Sequence, residues 1–222
     1  SAGSAGIGSS GSGSAYMRGT IDDVRIYPYV RTPLQIREVY EAFAGHWKVD
    51  DNVNGPGNTV QDAIGLQPGT TVGSTDCTVA GRINGACDFN GTDSYITLGN
   101  PVHLNPKNIT VEAWWFGEDF VGTGNNSIVD KGFTSHVAPW YQYHLGVTGN
   151  GYTNGPGAYS FSVSVGGASY GTGVSPDIYE VGIWNHFVGT YDGETVRVFR
   201  NGVLKKENTN PSGIMDVYRA GN

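Results

Sequence analysis

Three observations predict an all-β chain folded as a two-sheet antiparallel jelly-roll sandwich with one short helix. Glycine is abundant (35 of 222 residues), aromatics make up 12% and charged residues only 15%. That mixture suits many strands joined by tight turns and suits a helical protein poorly. Several segments alternate apolar and polar residues with the period of two of a half-buried strand. Two dipeptides, Asp192-Gly193 and Asn201-Gly202, separate such segments as hairpin turns do. The length is enough for one large domain with a substantial core.

Residues 1–14 are almost entirely Gly, Ser and Ala, the composition of a flexible linker, but Ile7-Gly8 and Ala15-Tyr16-Met17 favour an ordered or partly ordered segment. Residues 21–27 form a strand whose apolar positions are Ile21, Val24 and Ile26. Thr32-Pro33-Leu34-Gln35 is a helix start, with Thr as N-cap, Pro at the first helical position and Gln closing the capping box. Ile36, Val39, Tyr40 and Phe43 follow on one face, and Gly45 ends the helix. Only His46 separates that glycine from Trp47, where the next strand begins. In residues 109–116, Ile109, Val111, Ala113 and Trp115 share one face; Tyr159, Phe161, Val163 and Val165 do the same further on. His186–Tyr191, Thr195–Arg200 and Val203–Glu207 make a three-stranded meander. Two packed antiparallel sheets account for this regular spacing of turns.

The formal charge of −7 argues against nucleic acid as a partner, because phosphate binding needs a basic face. No apolar run approaches the ~20 residues that cross a bilayer, so membrane insertion is not expected. Ser1-Ala2-Gly3-Ser4 lacks an initiator Met and the regions of a signal peptide, and reads as a mature form or an excerpt. Cys77 and Cys87 flank the bend Gly81-Arg82-Ile83-Asn84-Gly85, and no His or third Cys completes a zinc spacing. A disulfide is expected, with two buried thiols as the alternative. A disulfide would place the chain outside the cytosol.

Five motifs carry a family resemblance. Gly19-Thr20-Ile21-Asp22-Asp23-Val24-Arg25-Ile26-Tyr27 resembles the closing strand of laminin-G-like (pentraxin-like) domains of the concanavalin A-like lectin/glucanase superfamily. Cys87-Asp88-Phe89-Asn90-Gly91-Thr92-Asp93-Ser94-Tyr95-Ile96 resembles the opening of the same domain. The stretches Ser127–Gly132, Trp184–Gly193 and Val196–Gly202 are similar to the family's "I-V-x-K-G", "W-x-H-V-A-x-T-Y-D-G" and "V-x-L-Y-V-N-G" strands. The closing strand comes first, so the domain is written in circularly rotated order. Residues 1–45 then supply closing strands and the short helix, of this domain or a neighbour's, and residues 46–222 the main body.

The resemblance implies an extracellular binding or adhesion module and a structural calcium. Asp22 matches the family's calcium-binding aspartate by motif, Asn90 and the carbonyl of Gly91 lie in the facing loop, and Asp50 and Asp62 are additional oxygen donors. Aromatics are concentrated mid-chain, and Trp140, Tyr152 and Tyr170 are candidates for stacking on glycans. Glucanase relatives carry E-x-D-x-x-E; here Glu112 and Glu118 are the nearest pair, so the chain reads as non-catalytic. The expected function is a structural or adhesive module, one unit of a tandem-repeat surface protein or of a strand-exchanged fibre, with copies of itself or adjacent repeats as partners. The alternative from a different class is a carbohydrate-binding module serving polysaccharide recognition or degradation, with glycans as partners.

Overall fold

The structure is a computed structural model and describes residues 30, 44–118, 125–132, 138–148, 157–173, 175 and 177–217. The chain divides into two compact units, Ser1–Phe43 and Ala44–Asn222. The expected strand at residues 21–27, the expected helix beginning at Thr32 and the Gly/Ser segment all lie outside the described residues, as do Asp22 and Tyr152. The following concerns the second unit.

A small three-stranded sheet, in the order β1 (Thr59–Val60), β2 (Gly69–Val72), β5 (Tyr95–Thr97), opens the unit. Beside it in sequence is a two-stranded hairpin, β3 (Asp76–Ala80) and β4 (Gly85–Asp88). The expected disulfide is present: Cys77 and Cys87 are bonded across this hairpin, with Cα atoms 3.8 Å apart. Closing so short a loop stabilises the fold by roughly 2–3 kcal/mol through the unfolded state. A 3-10 turn at Val102–Leu104 is the helical element among the described residues.

Two four-stranded antiparallel sheets hold the core. One runs β10 (Ala168–Gly171), β9 (Tyr159–Val165), β8 (Tyr141–Thr148), β7 (Asn125–Gly132). The other runs β13 (Val203–Asn208), β12 (Val196–Arg200), β11 (Trp184–Tyr191), β6 (Ile109–Phe116). The meander expected at residues 186–207 is therefore present as β11–β12–β13, turning through Asn201 (φ 50°) and Gly202 (φ 78°), the left-handed pair that a two-residue hairpin requires.

Alternation fills the space between these sheets. Leu145, Val147, Tyr159, Phe161 and Val163 from one sheet meet Phe187, Tyr191, Val196 and Val198 from the other, all fully buried. Ile109, Val111 and Trp115 pack against them from β6. Tyr159 also reaches out of the core, donating its hydroxyl hydrogen to Asp177 (2.6 Å), which Lys205 holds from the other side at 2.8 Å. At Gly189 on β11 an added Cβ would lie 2.2 Å from the Phe161 ring of the facing sheet. That ring is completely buried and cannot swing away.

The sheet of β7–β10 differs from simple alternation, because β8 and β9 are buried on both faces. Gln142 is 0% and His144 3% exposed, and among the described residues neither amide atom of Gln142 nor Nδ1 of His144 has a hydrogen-bond partner. Burial lowers the His144 imidazole to about 4. Asp130, its register partner on β7, is raised to about 6 by desolvation against an opposing hydrogen bond from Ser127.

Two outcomes follow. Gly189→Ala is expected to cost on the order of 1–3 kcal/mol by forcing Phe161 off its site, measured as a fall in thermal midpoint; an unchanged midpoint contradicts this packing. The unfolded chain protonates a histidine more readily than this fold does, so stability from His144 falls as pH drops from 6.5 towards about 4. Asp130 acts in the opposite sense below about pH 6, since the fold holds its proton more tightly. His144→Gln isolates the histidine: the variant's melting temperature should gain on the parent's as pH is lowered through that window. A constant difference between the two rejects it.

Candidate functional site

Each residue of the proposed calcium set that the structure describes has its own place. Asp62 is buried, 7% exposed, and its carboxylate is saturated by backbone: Oδ1 accepts from His46 N (3.0 Å) and Ile64 N (3.1 Å), Oδ2 from Leu66 N and Gln67 N (both 3.0 Å). Burial alone would raise its pKa, but the four amides hold it below the usual carboxylate range. Its segment is further closed by the Trp47 indole N–H donating to the Gln67 carbonyl at 2.8 Å. Asp62 is thus the organiser of residues 46–67, not an open oxygen donor.

Asn90 is similarly occupied. Its side-chain oxygen accepts from Thr92 N, Asp93 N, Ser94 N and the Ser94 hydroxyl, a self-contained turn in which Gly91 takes φ 68°. Asp50 is exposed. Among the described residues no three His, Cys, Asp or Glu side chains gather as a metal site. Asp62 and the side-chain oxygen of Asn90 are thus spent on neighbouring backbone amides and the Ser94 hydroxyl, while Asp22 lies outside the described residues.

The glycan candidates are also separated. Trp140 is 54% exposed just before β8. Tyr170, on β10, is half-buried and packs against the core cluster.

A different aromatic surface stands on the outer face of β6 and β11. Turning Ile109, Val111, Ala113 and Trp115 towards the core turns Glu112, Trp114 and Phe116 outwards. In register on β11, Trp184 pairs with Phe116 and His186 with Trp114, so the four rings share one face. Ring centroids are 5.5 Å apart for Phe116–Trp184 and 5.1 Å for Trp114–His186. Trp114 remains 42% and Phe116 39% exposed. Successive rows along the strands lie about 7 Å apart, so the platform extends over two rows of rings and then becomes charged. Glu112 approaches His186 at 3.4 Å. From the β3–β4 turn, Arg82 lays its guanidinium over Trp114, 5.1 Å from the ring centroid.

Such a surface can stack on flat, partly apolar ligands and hydrogen-bond at its rim. The signal for it was present in the alternation of β6: placing Trp115 inside places Trp114 and Phe116 outside. The aromatics that stand out mid-chain in the sequence are instead Trp140, Tyr152 and Tyr170.

Residues 90–221 match the family model described as Concanavalin A-like lectin/glucanases superfamily. No curated protein matches the chain. Among solved structures it is similar to domain 4 of AbnA, a GH43 extracellular arabinanase from Geobacillus stearothermophilus, in complex with arabinotriose. That likeness has 19% identity and a TM-score of 0.57, covers 78% of this chain and 77% of that one, and is a likeness of fold. Residues 221–444 of an S-layer domain-containing protein from Clostridium thermocellum align at 21% identity and a TM-score of 0.40, over 76% of this chain and 73% of that one.

Asp62→Ala should lower the melting temperature by the equivalent of roughly 2 kcal/mol or more, from loss of charge-assisted hydrogen bonds. The shift should be the same in calcium and in excess chelator. A loss seen only with calcium present would restore Asp62 as a ligand.

Proposed function

The chain belongs to the concanavalin A-like lectin/glucanases superfamily, and on that premise we propose that it is an extracellular, non-catalytic carbohydrate-binding module using the outer face of β6 and β11. The observation that carries the reading is the outward platform of Trp114 and Phe116, both exposed, with Trp184 and His186 half-buried beside them. Rigid aromatic faces exposed in register are suited to sugar rings, whose C–H faces stack while their hydroxyls find polar partners at the edge. The arabinanase domain of similar fold, whose structure holds arabinotriose, supports the reading by analogy of fold.

The Cys77–Cys87 disulfide supports a location outside the cytosol. Glycoside hydrolysis needs two carboxyl groups flanking the bond. On the platform, Glu112 is engaged by His186, which supports binding without cleavage.

The structural or adhesive reading has its own observation. Val181 and Ile183, in the segment leading into β11, are exposed apolar side chains that a second copy could cover. The rotated motif order belongs to the same proposal and rests on sequence alone; residues 46–222 expressed by themselves would then be incomplete.

Affinity electrophoresis through arabinan, xylan, galactan and polygalacturonate provides the test. At least one polysaccharide should retard the parent protein, and Trp114→Ala with Trp184→Ala should abolish the retardation without changing the melting temperature. Equal migration of parent and variant in every gel rejects the platform. Concentration-dependent association that the same substitutions abolish would favour the self-associating module.

A further inference from the structure

We infer that a neutral polysaccharide engages this chain at two places on one face. It stacks at the Phe116–Trp184 rung, and it hydrogen-bonds in a polar depression at the other end of the same two strands, formed by Asn108, Thr110, Thr190 and Asp192. The inference rests on the carbohydrate-binding reading above and deepens it, by naming the second group of residues a glycan meets and the charge it carries.

The depression has a volume of about 320 Å³ and is lined by Asn108, Ile109, Thr110, Thr190, Tyr191 and Asp192. That is the lower end of the roughly 300–1,000 Å³ of small-molecule sites. Thr110 and Thr190 stand directly opposite each other in register. The alternation that turns Trp114 and Phe116 outwards on β6, and Trp184 and His186 outwards on β11, puts both threonines on that same face. Along β6 the step from Thr110 to Phe116 is about 20 Å. Trp114, between them, already has the Arg82 guanidinium and the His186 ring each 5.1 Å from its own ring. Stacking therefore falls to the Phe116–Trp184 end, and the second contact to the depression.

The walls of the depression are held in place. Asp192 Oδ1 accepts from Glu194 N (3.0 Å) and Thr195 N (2.8 Å), and Oδ2 from the Arg197 guanidinium (2.6 Å). The Tyr191 ring is buried, and its hydroxyl donates to the Gly213 carbonyl at 2.8 Å. Gly213 N in turn donates to the Gly193 carbonyl at 2.8 Å, which ties the two neighbouring loops together. Gly193 takes φ 101°, and a Cβ there would lie 3.5 Å from Asn108 Oδ1. Glycine at that turn keeps a side chain out of the mouth. A site ordered before its ligand arrives loses less binding free energy on association.

The chemistry of the lining selects the ligand. Two hydroxyls and an amide both donate and accept, as sugar hydroxyls do. The Arg197 hydrogen bond, with those of the two amides, pulls the Asp192 carboxyl down to about 2, so it stays an ionised acceptor at every ordinary pH. An anionic sugar would set its charge against that carboxylate. A neutral glycan matches both ends, with a C–H face for the aromatic rung and hydroxyls for the depression. A disaccharide covers one contact; a longer chain reaches both.

Calorimetric titration of the whole chain with arabino-, xylo- and galacto-oligosaccharides, from disaccharides to hexasaccharides, tests this. In at least one series the hexasaccharide should bind roughly tenfold or more tightly than the disaccharide, because its second contact is made intramolecularly. Asn108→Ala with Thr190→Val should cancel that gain, so that the hexasaccharide binds as the disaccharide does. Thr190→Ser, which keeps the hydroxyl, should retain it. If the double variant fails to fold, Asn108→Ala alone, at an exposed position, should lose part of the gain. Trp184→Ala should weaken binding at every length. Equal affinity across lengths, or a gain that survives in the double variant, overturns the second contact and leaves the platform standing wherever Trp184→Ala still weakens binding. Retardation in polygalacturonate alone, with no neutral hexasaccharide bound, overturns the neutral ligand class. If Trp184→Ala changes no binding at all, the platform itself is wrong.

Discussion

The two core sheets meet where the ring of Phe161 occupies the space that a side chain at Gly189 would need. With the sheets locked, β11 must turn Phe187 and Tyr191 inwards, and its intervening residues have nowhere to go but outwards. Because β6 pairs with β11 over eight consecutive residues, it inherits the same division. A larger residue at 189 would displace the Phe161 ring from its place between the sheets. The aromatic platform is thus a by-product of core packing, positioned by it at no separate structural cost.

Much of the architecture was legible from patterns of period two and from turn chemistry. Trp115 inside, Asn201-Gly202 at a left-handed turn and the Cys77–Cys87 bridge all follow from local sequence, because each is decided by the backbone geometry of a few neighbouring residues. Burial of the second face of β8 was not legible. Alternation assigns Gln142 and His144 to the outside, and nothing in a strand's own pattern reveals that its outer face is withdrawn from solvent as well.

The binding residues were harder to read for a related reason. Acidic and amide side chains in turns look the same in sequence whether they face an ion or cap their own backbone. Asp62 and Asn90 do the latter, each collecting four hydrogen bonds from nearby groups. Arg82 illustrates the opposite case. Thirty-two positions separate it from Trp114, and only the folded hairpin brings them together. A pairing of that kind depends on tertiary structure, and no spacing rule would have found it.

Trp114 and Trp115 stand side by side in the chain and belong to different economies. Trp115 is committed to Tyr179, edge to face at 4.3 Å, and to the ring of Phe187. Trp114 touches nothing the core requires. A strand of this kind carries two independent texts in alternate letters, one spelling the fold and one spelling the surface. Substitutions at Glu112, Trp114, Phe116, Trp184 or His186 can therefore accumulate without eroding the sandwich, which frees the surface to diverge between lineages while the scaffold stays fixed. The same separation makes β6 and β11 a natural canvas for library design, where recognition is rewritten and foldedness is left alone.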